Sequence, residues 1–171
     1  MEKRIILNSR HFEITLKRLA SQLKENHHLF ENTVLIGLQP RGIHVLSRLK
    51  KILEDDLKKE LTCGQLDITF YRDDIRKEIM APDTMHMPFD IENKTVVLID
   101  DVLFTGRTIK AALDTLLDYG RPDKVELCVL IDRKEHRQFP IQADYAARQV
   151  ETAKTDKVKL INGEVVLIPG A

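Results

Sequence analysis

No stretch of this sequence is apolar for long enough to cross a membrane, and no apolar run opens it, so neither membrane insertion nor secretion is expected. Cysteine is scarce. The two present, Cys63 beside a glycine and Cys128 inside an apolar run, have neither metal-ligand nor redox spacing. They read as free thiols of a reducing compartment, and a cytoplasmic location is the expectation. An excess of one charge is missing too: 27 Lys plus Arg balance 27 Asp plus Glu. That balance removes any global pull toward nucleic acid or a membrane surface and leaves room only for a local basic face. Repeats, low-complexity tracts and linkers are absent. With 171 residues and 43% hydrophobic content, the chain can bury one good core and has little length for a second, so a single domain over 1–171 is expected.

What is present is concentrated between Val96 and Thr108. The apolar run Val96-Val97-Leu98-Ile99 ends in two carboxylates, Asp100 and Asp101. A short turn then carries Thr105, Gly106, Arg107 and Thr108, and Ile109, Ala112, Leu113, Leu116 and Leu117 recur at helical spacing. The pattern is strand, phosphate loop, helix. A strand apolar on every side belongs in a parallel sheet, and in open sheets ligands bind where strands end and helices begin. N–H groups of a tight turn, with the positive end of the following helix, hold a phosphate monoester, and a glycine lets the backbone approach it closely. Adjacent carboxylates accept hydrogen bonds from vicinal hydroxyls and can help hold a hydrated divalent cation. Phosphate on one side and diol on the other describe a ribose 5-phosphate.

The rest of the chain supplies further elements. Asn8 or Ser9 can cap a helix with Phe12, Leu16, Leu19, Ala20 and Leu23 on one face and Arg10, Lys17, Arg18 and Lys24 on the other. Val34 to Leu38 reads as a second buried strand. Gln39-Pro40-Arg41-Gly42 turns it into a helix bearing Val45, Leu46, Leu49, Ile52 and Leu53. Leu66, Ile68 and Phe70 alternate with polar residues, as a half-covered strand does. The stretch from Arg72 through Arg76, Lys77 and His86 to Pro88 lacks periodicity and reads as a loop or arm, with His86 a loop residue and not a metal ligand. Gly120 and Pro122 stop the third helix, Val125 to Ile131 is the next strand, and beyond Arg133 the pattern loosens. Asn162-Gly163 marks a tight hairpin near the end.

The central motif resembles the fingerprint of type I phosphoribosyltransferases: a hydrophobic pair, two acidic residues and Thr-Gly-x-Thr. Together with Gly120-Arg121-Pro122, Val129-Leu130-Ile131-Asp132-Arg133, Pro140-Ile141, Ala143-Asp144-Tyr145 and Tyr71-Arg72-Asp73-Asp74, it is similar to one branch, the PyrR family of pyrimidine-operon attenuators and uracil phosphoribosyltransferases. The similarity covers most of the chain. It implies an α/β fold with a mostly parallel central sheet flanked by helices. A small C-terminal hood over about 133–171, helped by the N-terminus, and a flexible arm over about 72–90 go with it.

The implied reaction moves ribose 5-phosphate from phosphoribosyl pyrophosphate (PRPP) to uracil, giving uridine monophosphate (UMP) and pyrophosphate, with Mg2+. By resemblance, Asp100, Asp101, Arg41 and Arg72 are catalytic, and the two aspartates meet the metal directly or through water. Leu103, Phe104, Thr105, Gly106, Arg107 and Thr108 hold the 5-phosphate. Pro40, Arg41 and Gly42, with Arg76 and Lys77 from the arm, receive pyrophosphate, and a guanidinium suits that task because it meets phosphate oxygens in pairs. Asp132, Arg133, Val158 and Lys159 face the base, and Lys17 and Arg18 face a pyrimidine-operon leader RNA. A homodimer or an assembly of dimers is implied as well. Two residues depart from the family pattern: Pro40 removes an N–H donor from the pyrophosphate loop, and Ser21 stands where RNA-binding members carry histidine. Two other readings stay open: an RNA-binding regulator whose site senses nucleotide, and a transferase for orotate or a purine. Purine-salvage relatives usually have lysine where Asp132 stands, which favours a pyrimidine.

Overall fold

A computed structural model describes residues 2–68 and 85–170. The described chain runs β1 (Arg4–Leu7), α1 (Ser9–His27), β2 (Thr33–Leu38), α2 (Gly42–Leu57), β3 (Cys63–Leu66), β4 (Met85–His86), β5 (Thr95–Leu103), α3 (Arg107–Leu116), β6 (Lys124–Arg133), β7 (Tyr145–Val150), β8 (Lys157–Ile161) and β9 (Glu164–Ile168). Two sheets result. The larger has the order β4-β3-β2-β5-β6-β7, with every neighbouring pair parallel except β3 and β4. The smaller is antiparallel, in the order β1-β9-β8.

Burial explains the choice of central strands. In β5, Val97 and Ile99 join the core shared with α1, α2 and the small sheet, while Val96 and Leu98 join the core under α3. A strand apolar on both faces satisfies both layers. The helices follow the expected faces: Phe12, Leu16, Leu19, Ala20 and Leu23 of α1 are buried, as are Val45, Leu46, Leu49 and Leu53 of α2. The Asn8 side chain accepts a hydrogen bond from the His11 N–H at 2.9 Å and so caps α1. At the far end of α1, His27 and Tyr145 converge on Glu126, with Thr33 bonded to the other side of the His27 ring. His27 Nε2 lies 2.9 Å from Glu126 Oε2, the Tyr145 hydroxyl donates to the same oxygen at 2.8 Å, and Thr33 Oγ1 lies 3.0 Å from His27 Nδ1. Burial raises the Tyr145 hydroxyl to about 12. These bonds pin α1 to the starts of β2, β6 and β7, opposite the strand ends where a ligand would bind.

Several elements differ from the sequence reading. The strand expected around Leu66, Ile68 and Phe70 starts earlier: β3 pairs with β2 from Leu35↔Cys63 to Leu38↔Leu66 and stops where β2 stops. Ile68 is buried beyond that end, and Phe70 lies outside the described residues. His86, read as a loop residue, pairs with Gln65 in the short edge strand β4. Within the 133–171 stretch expected to form the hood, β7 instead pairs with β6 as the last parallel strand of the large sheet. The small sheet takes β8, β9 and the N-terminal β1. The Asn162-Gly163 hairpin is as expected, with φ of 50° and 77° at its two residues. Both cysteines are free, and burial pushes the thiols up to about 11 for Cys63 and about 12 for Cys128, a direction that disfavours the thiolate. No helix of the described residues is long and apolar enough to cross a membrane.

Candidate active site

The C-terminal ends of β2, β5 and β6 share one edge of the large sheet, and a cavity of about 440 Å3 opens there. Asp100 and Asp101 sit side by side on β5, only 7% and 3% exposed. Each carboxylate accepts the N–H of the next residue at 2.8 Å, Asp101 N–H for Asp100 and Val102 N–H for Asp101. Burial, and then the charge of Asp101, push the Asp100 carboxyl well above the usual carboxylate range. The other oxygen of Asp101, Oδ2, lies 3.0 Å from Arg41 Nε but lacks the alignment of a hydrogen bond and makes none. A buried carboxylate oxygen without a hydrogen-bond partner invites a ligand.

Arg41 comes from the β2–α2 turn and is half exposed, its head reaching over the carboxylates. Its neighbour shows why the turn sits so close. A Cβ on Gly42 would overlap the Ile99 carbonyl oxygen and lie 3.0 Å from Asp100 Cα, so only glycine lets α2 begin against the end of β5.

The loop from Leu103 to Thr108 forms the next wall. Gly106 adopts φ 86°, the left-handed region, and serves as the N-cap of α3. The Thr105 hydroxyl accepts the Arg107 N–H at 3.3 Å and shapes the turn. First-turn N–H groups of a helix lack partners within it and carry the positive end of its dipole. Arg107 adds a buried Nε that has no hydrogen-bond partner. The wall therefore offers spare donors and positive potential, as a phosphate site requires.

Opposite stand Arg133 and the segment Lys154 to Lys159. The Arg133 guanidinium donates to Thr152 Oγ1 at 2.8 Å and to the Ala153 carbonyl at 2.9 Å, and it lies 3.6 Å above the Phe104 ring. Phosphate loop and hood wall thus touch through one cation–π contact.

The structure brings together Arg41, Asp100, Leu103 to Thr108, Arg133, Val158 and Lys159 around one cavity, with Asp101 adjoining through Arg41. Pro40 and Gly42 flank Arg41 in the turn. Asp132 is buried and does not line the cavity: its carboxylate is held by Arg137 Nη2 at 2.6 Å. Lys17 and Arg18 lie on the exposed face of α1 and do not line the cavity either, and Arg18 donates to the Ala147 carbonyl of β7. Arg72, Arg76 and Lys77 lie outside the described residues. Sequence reasoning singled out neither Lys154, Thr155, Asp156 and Lys157, which line the cavity, nor Arg137.

Residues 3–162 match the family described as "Phosphoribosyl transferase domain". The bifunctional protein PyrR of Actinobacillus pleuropneumoniae serotype 5b (strain L20) is 44% identical over 162 residues, spanning 94% of this chain and 89% of that protein. The bifunctional protein PyrR of Bacillus subtilis (strain 168) is 38% identical over 168 residues, spanning 96% and 92%. Among solved structures, a hypoxanthine phosphoribosyl transferase of Trypanosoma cruzi superposes with a TM-score of 0.76 at 16% identity, over 97% of this chain and 91% of that one. A hypoxanthine phosphoribosyltransferase of Staphylococcus aureus gives 0.70 at 23% identity, over 88% and 79%. At such identities the structural likeness speaks for the fold alone.

Proposed function

The chain belongs to the phosphoribosyl transferase domain family and to its PyrR branch, and from that premise we propose that it transfers ribose 5-phosphate from PRPP to N1 of uracil, releasing pyrophosphate and UMP. One observation carries the reading: Asp100, a helix-starting turn with spare donors, and an arginine paired to Asp101 meet around a single cavity. As the anomeric carbon loses pyrophosphate it gains oxocarbenium character, so the site must stabilise a cationic sugar and a departing polyanion together. Asp100 and Asp101 accept from the ribose hydroxyls and favour positive charge on the ring. Residues Leu103 to Thr108 hold the 5-phosphate fixed throughout. Arg41 receives pyrophosphate beside Pro40 and Gly42, and Arg72, Arg76 and Lys77 belong to the same task. The base lies against the wall formed by Arg133, Val158 and Lys159. No covalent nucleophile is needed.

Phosphoribosyltransferases use Mg2+ with PRPP, and the residues present fit it. The donors are hard carboxylate oxygens, one of them buried without a hydrogen bond. Among the described residues no group of three or more metal-ligating side chains converges, so a cation held by Asp100 and Asp101 would keep waters and take substrate oxygens, the habit of Mg2+. When bound, it supplies positive charge to the leaving pyrophosphate.

Steady-state assays with uracil, orotate, hypoxanthine and guanine test the proposal, and turnover with uracil alone is expected. A preference for orotate or a purine would overturn it. Thr108→Val, which keeps the side-chain shape and removes one hydroxyl, is expected to raise the KM for PRPP about three- to tenfold with kcat little changed, because the phosphate is held equally in ground and transition states.

A second reading, RNA binding that responds to UMP, is favoured by the relatives' name, bifunctional protein PyrR. Lys17 is the exposed candidate on α1, with Arg18 beside it. Binding to a pyrimidine-operon leader is expected to weaken as salt rises, and Lys17→Ala to weaken it further and flatten the salt dependence by about one phosphate contact. UMP should tighten the complex, and RNA should tighten UMP by the same factor. Arg18→Ala also frees the Ala147 carbonyl, so its melting temperature must be read beside its affinity. Weak binding indifferent to UMP and to Lys17 would leave the transferase alone. A cytoplasmic homodimer, or an assembly of dimers, belongs to the same reading.

A further inference from the structure

A loop that turns its N–H groups toward a phosphate turns its carbonyls the other way, and buried carbonyls need donors of their own. Here one short segment after β6 supplies them. Arg137 Nη1 donates to the Phe104 carbonyl, and the Gln138 N–H donates to the Thr105 carbonyl at 2.8 Å. The His136 ring meets the Phe104 ring edge-on, with centroids 5.9 Å apart. Arg137 is itself fixed on two sides. Nη2 donates to Asp132 Oδ1 at 2.6 Å and Nη1 to the Arg133 carbonyl at 3.3 Å, and the two side chains of the ion pair are 18% and 6% exposed.

We propose that Arg137 is a positioning residue for the phosphate loop, holding the Phe104 carbonyl on the side away from the cavity so that the N–H groups that follow face the 5-phosphate. Asp132 anchors the guanidinium. Arg137 does not line the cavity, so it acts through the backbone it holds. Arginine is required because its planar fork reaches one carboxylate and two carbonyls together, whereas an ammonium cannot span all three in one geometry. The inference rests on the reading of the cavity as a PRPP site.

The rival is an ordinary buried ion pair, which would support the fold without distinguishing phosphate from base. The two differ in kinetics. Wild type, Arg137→Gln, Arg137→Lys and Asp132→Asn are compared for kcat, for the KM of PRPP and of uracil, and for melting temperature with and without PRPP. Arg137→Gln is expected to raise the KM for PRPP about tenfold while the KM for uracil and kcat stay within about threefold, with Arg137→Lys intermediate. The thermal shift produced by PRPP shrinks in the same order. Asp132→Asn, which frees one side of the guanidinium, raises the KM for PRPP by about threefold. A direct role for Asp132 at the base would appear in the KM for uracil instead. Should Arg137→Gln fail to fold, Arg137→Lys, which keeps a cation beside Asp132, carries the same comparison. A lowered melting temperature with an unchanged KM for PRPP in the lysine variant overturns the proposal. A wild-type protein that PRPP neither stabilises nor serves as substrate overturns the reading of the cavity, and the proposal with it.

Discussion

Asp100→Asn combined with Asp101→Asn is expected to yield a folded protein whose UMP formation falls by about a thousandfold, in line with losing preorganised charge at a developing cation. Both side chains sit where β5 ends, and both make local bonds to the next N–H that an amide oxygen can also accept. The fold therefore has little need of their charge, whereas the sugar cation does. The stability of the single variant Asp100→Asn gives an independent check. In the folded protein this carboxyl titrates well above its ordinary 3.8, so between those two pH values the folded state keeps a proton that the unfolded state has lost. Wild-type stability accordingly falls as pH rises through that window. Asparagine does not titrate, so the variant's melting temperature should gain on wild type from low pH toward neutrality and lose that advantage on acidification. A gap independent of pH would show that Asp100 is not held in its raised state. Undiminished UMP formation by the double variant would remove the pair from the mechanism.

Gly42→Ala is the second large effect. Its Cβ would meet backbone on two sides, the Ile99 carbonyl oxygen and Asp100 Cα, and neither can move without shifting β5. Overpacking of this kind costs about 1–3 kcal/mol or more. The strain falls on the residue that carries the first carboxylate and beside the arginine that pairs with the second. Thermal unfolding should show a lower midpoint, and kcat/KM should fall at least about a hundredfold, since displacements of about 1 Å at a reacting centre have that effect. Normal activity in a destabilised Gly42→Ala protein would mean that the β2–α2 turn and β5 are not coupled.

The sequence made β5, the turn after it and α3 legible because a doubly buried strand, a glycine in a turn and an amphipathic helix all leave local signatures. The helices α1 and α2 were legible for the same reason. β7 was not: Tyr145 and Ala147 are buried, but Arg148 and Gln149 follow at the edge of the sheet, and an edge strand half in water carries no continuous apolar run. The early start of β3 is a tertiary effect, its ladder set by where β2 runs. At the cavity, residues whose chemistry is local could be named as candidates, as Arg41 and Asp100 were, and both line it. Arg137 could not be, because its work depends on the Phe104 carbonyl 33 positions away. Nor did spacing announce that Lys154 to Lys157 would fold back as a cavity wall.

The pairing of β1 with β9, from Arg4↔Leu167 to Leu7↔Val165, has a consequence for how the fold assembles. Contacts so far apart in sequence form late, because a long loop must close before they do. β8, which carries part of the cavity wall, takes its ladder hydrogen bonds from that same β9. The cavity wall at Val158 and Lys159 is therefore expected to be completed after the more local ladders of the large sheet.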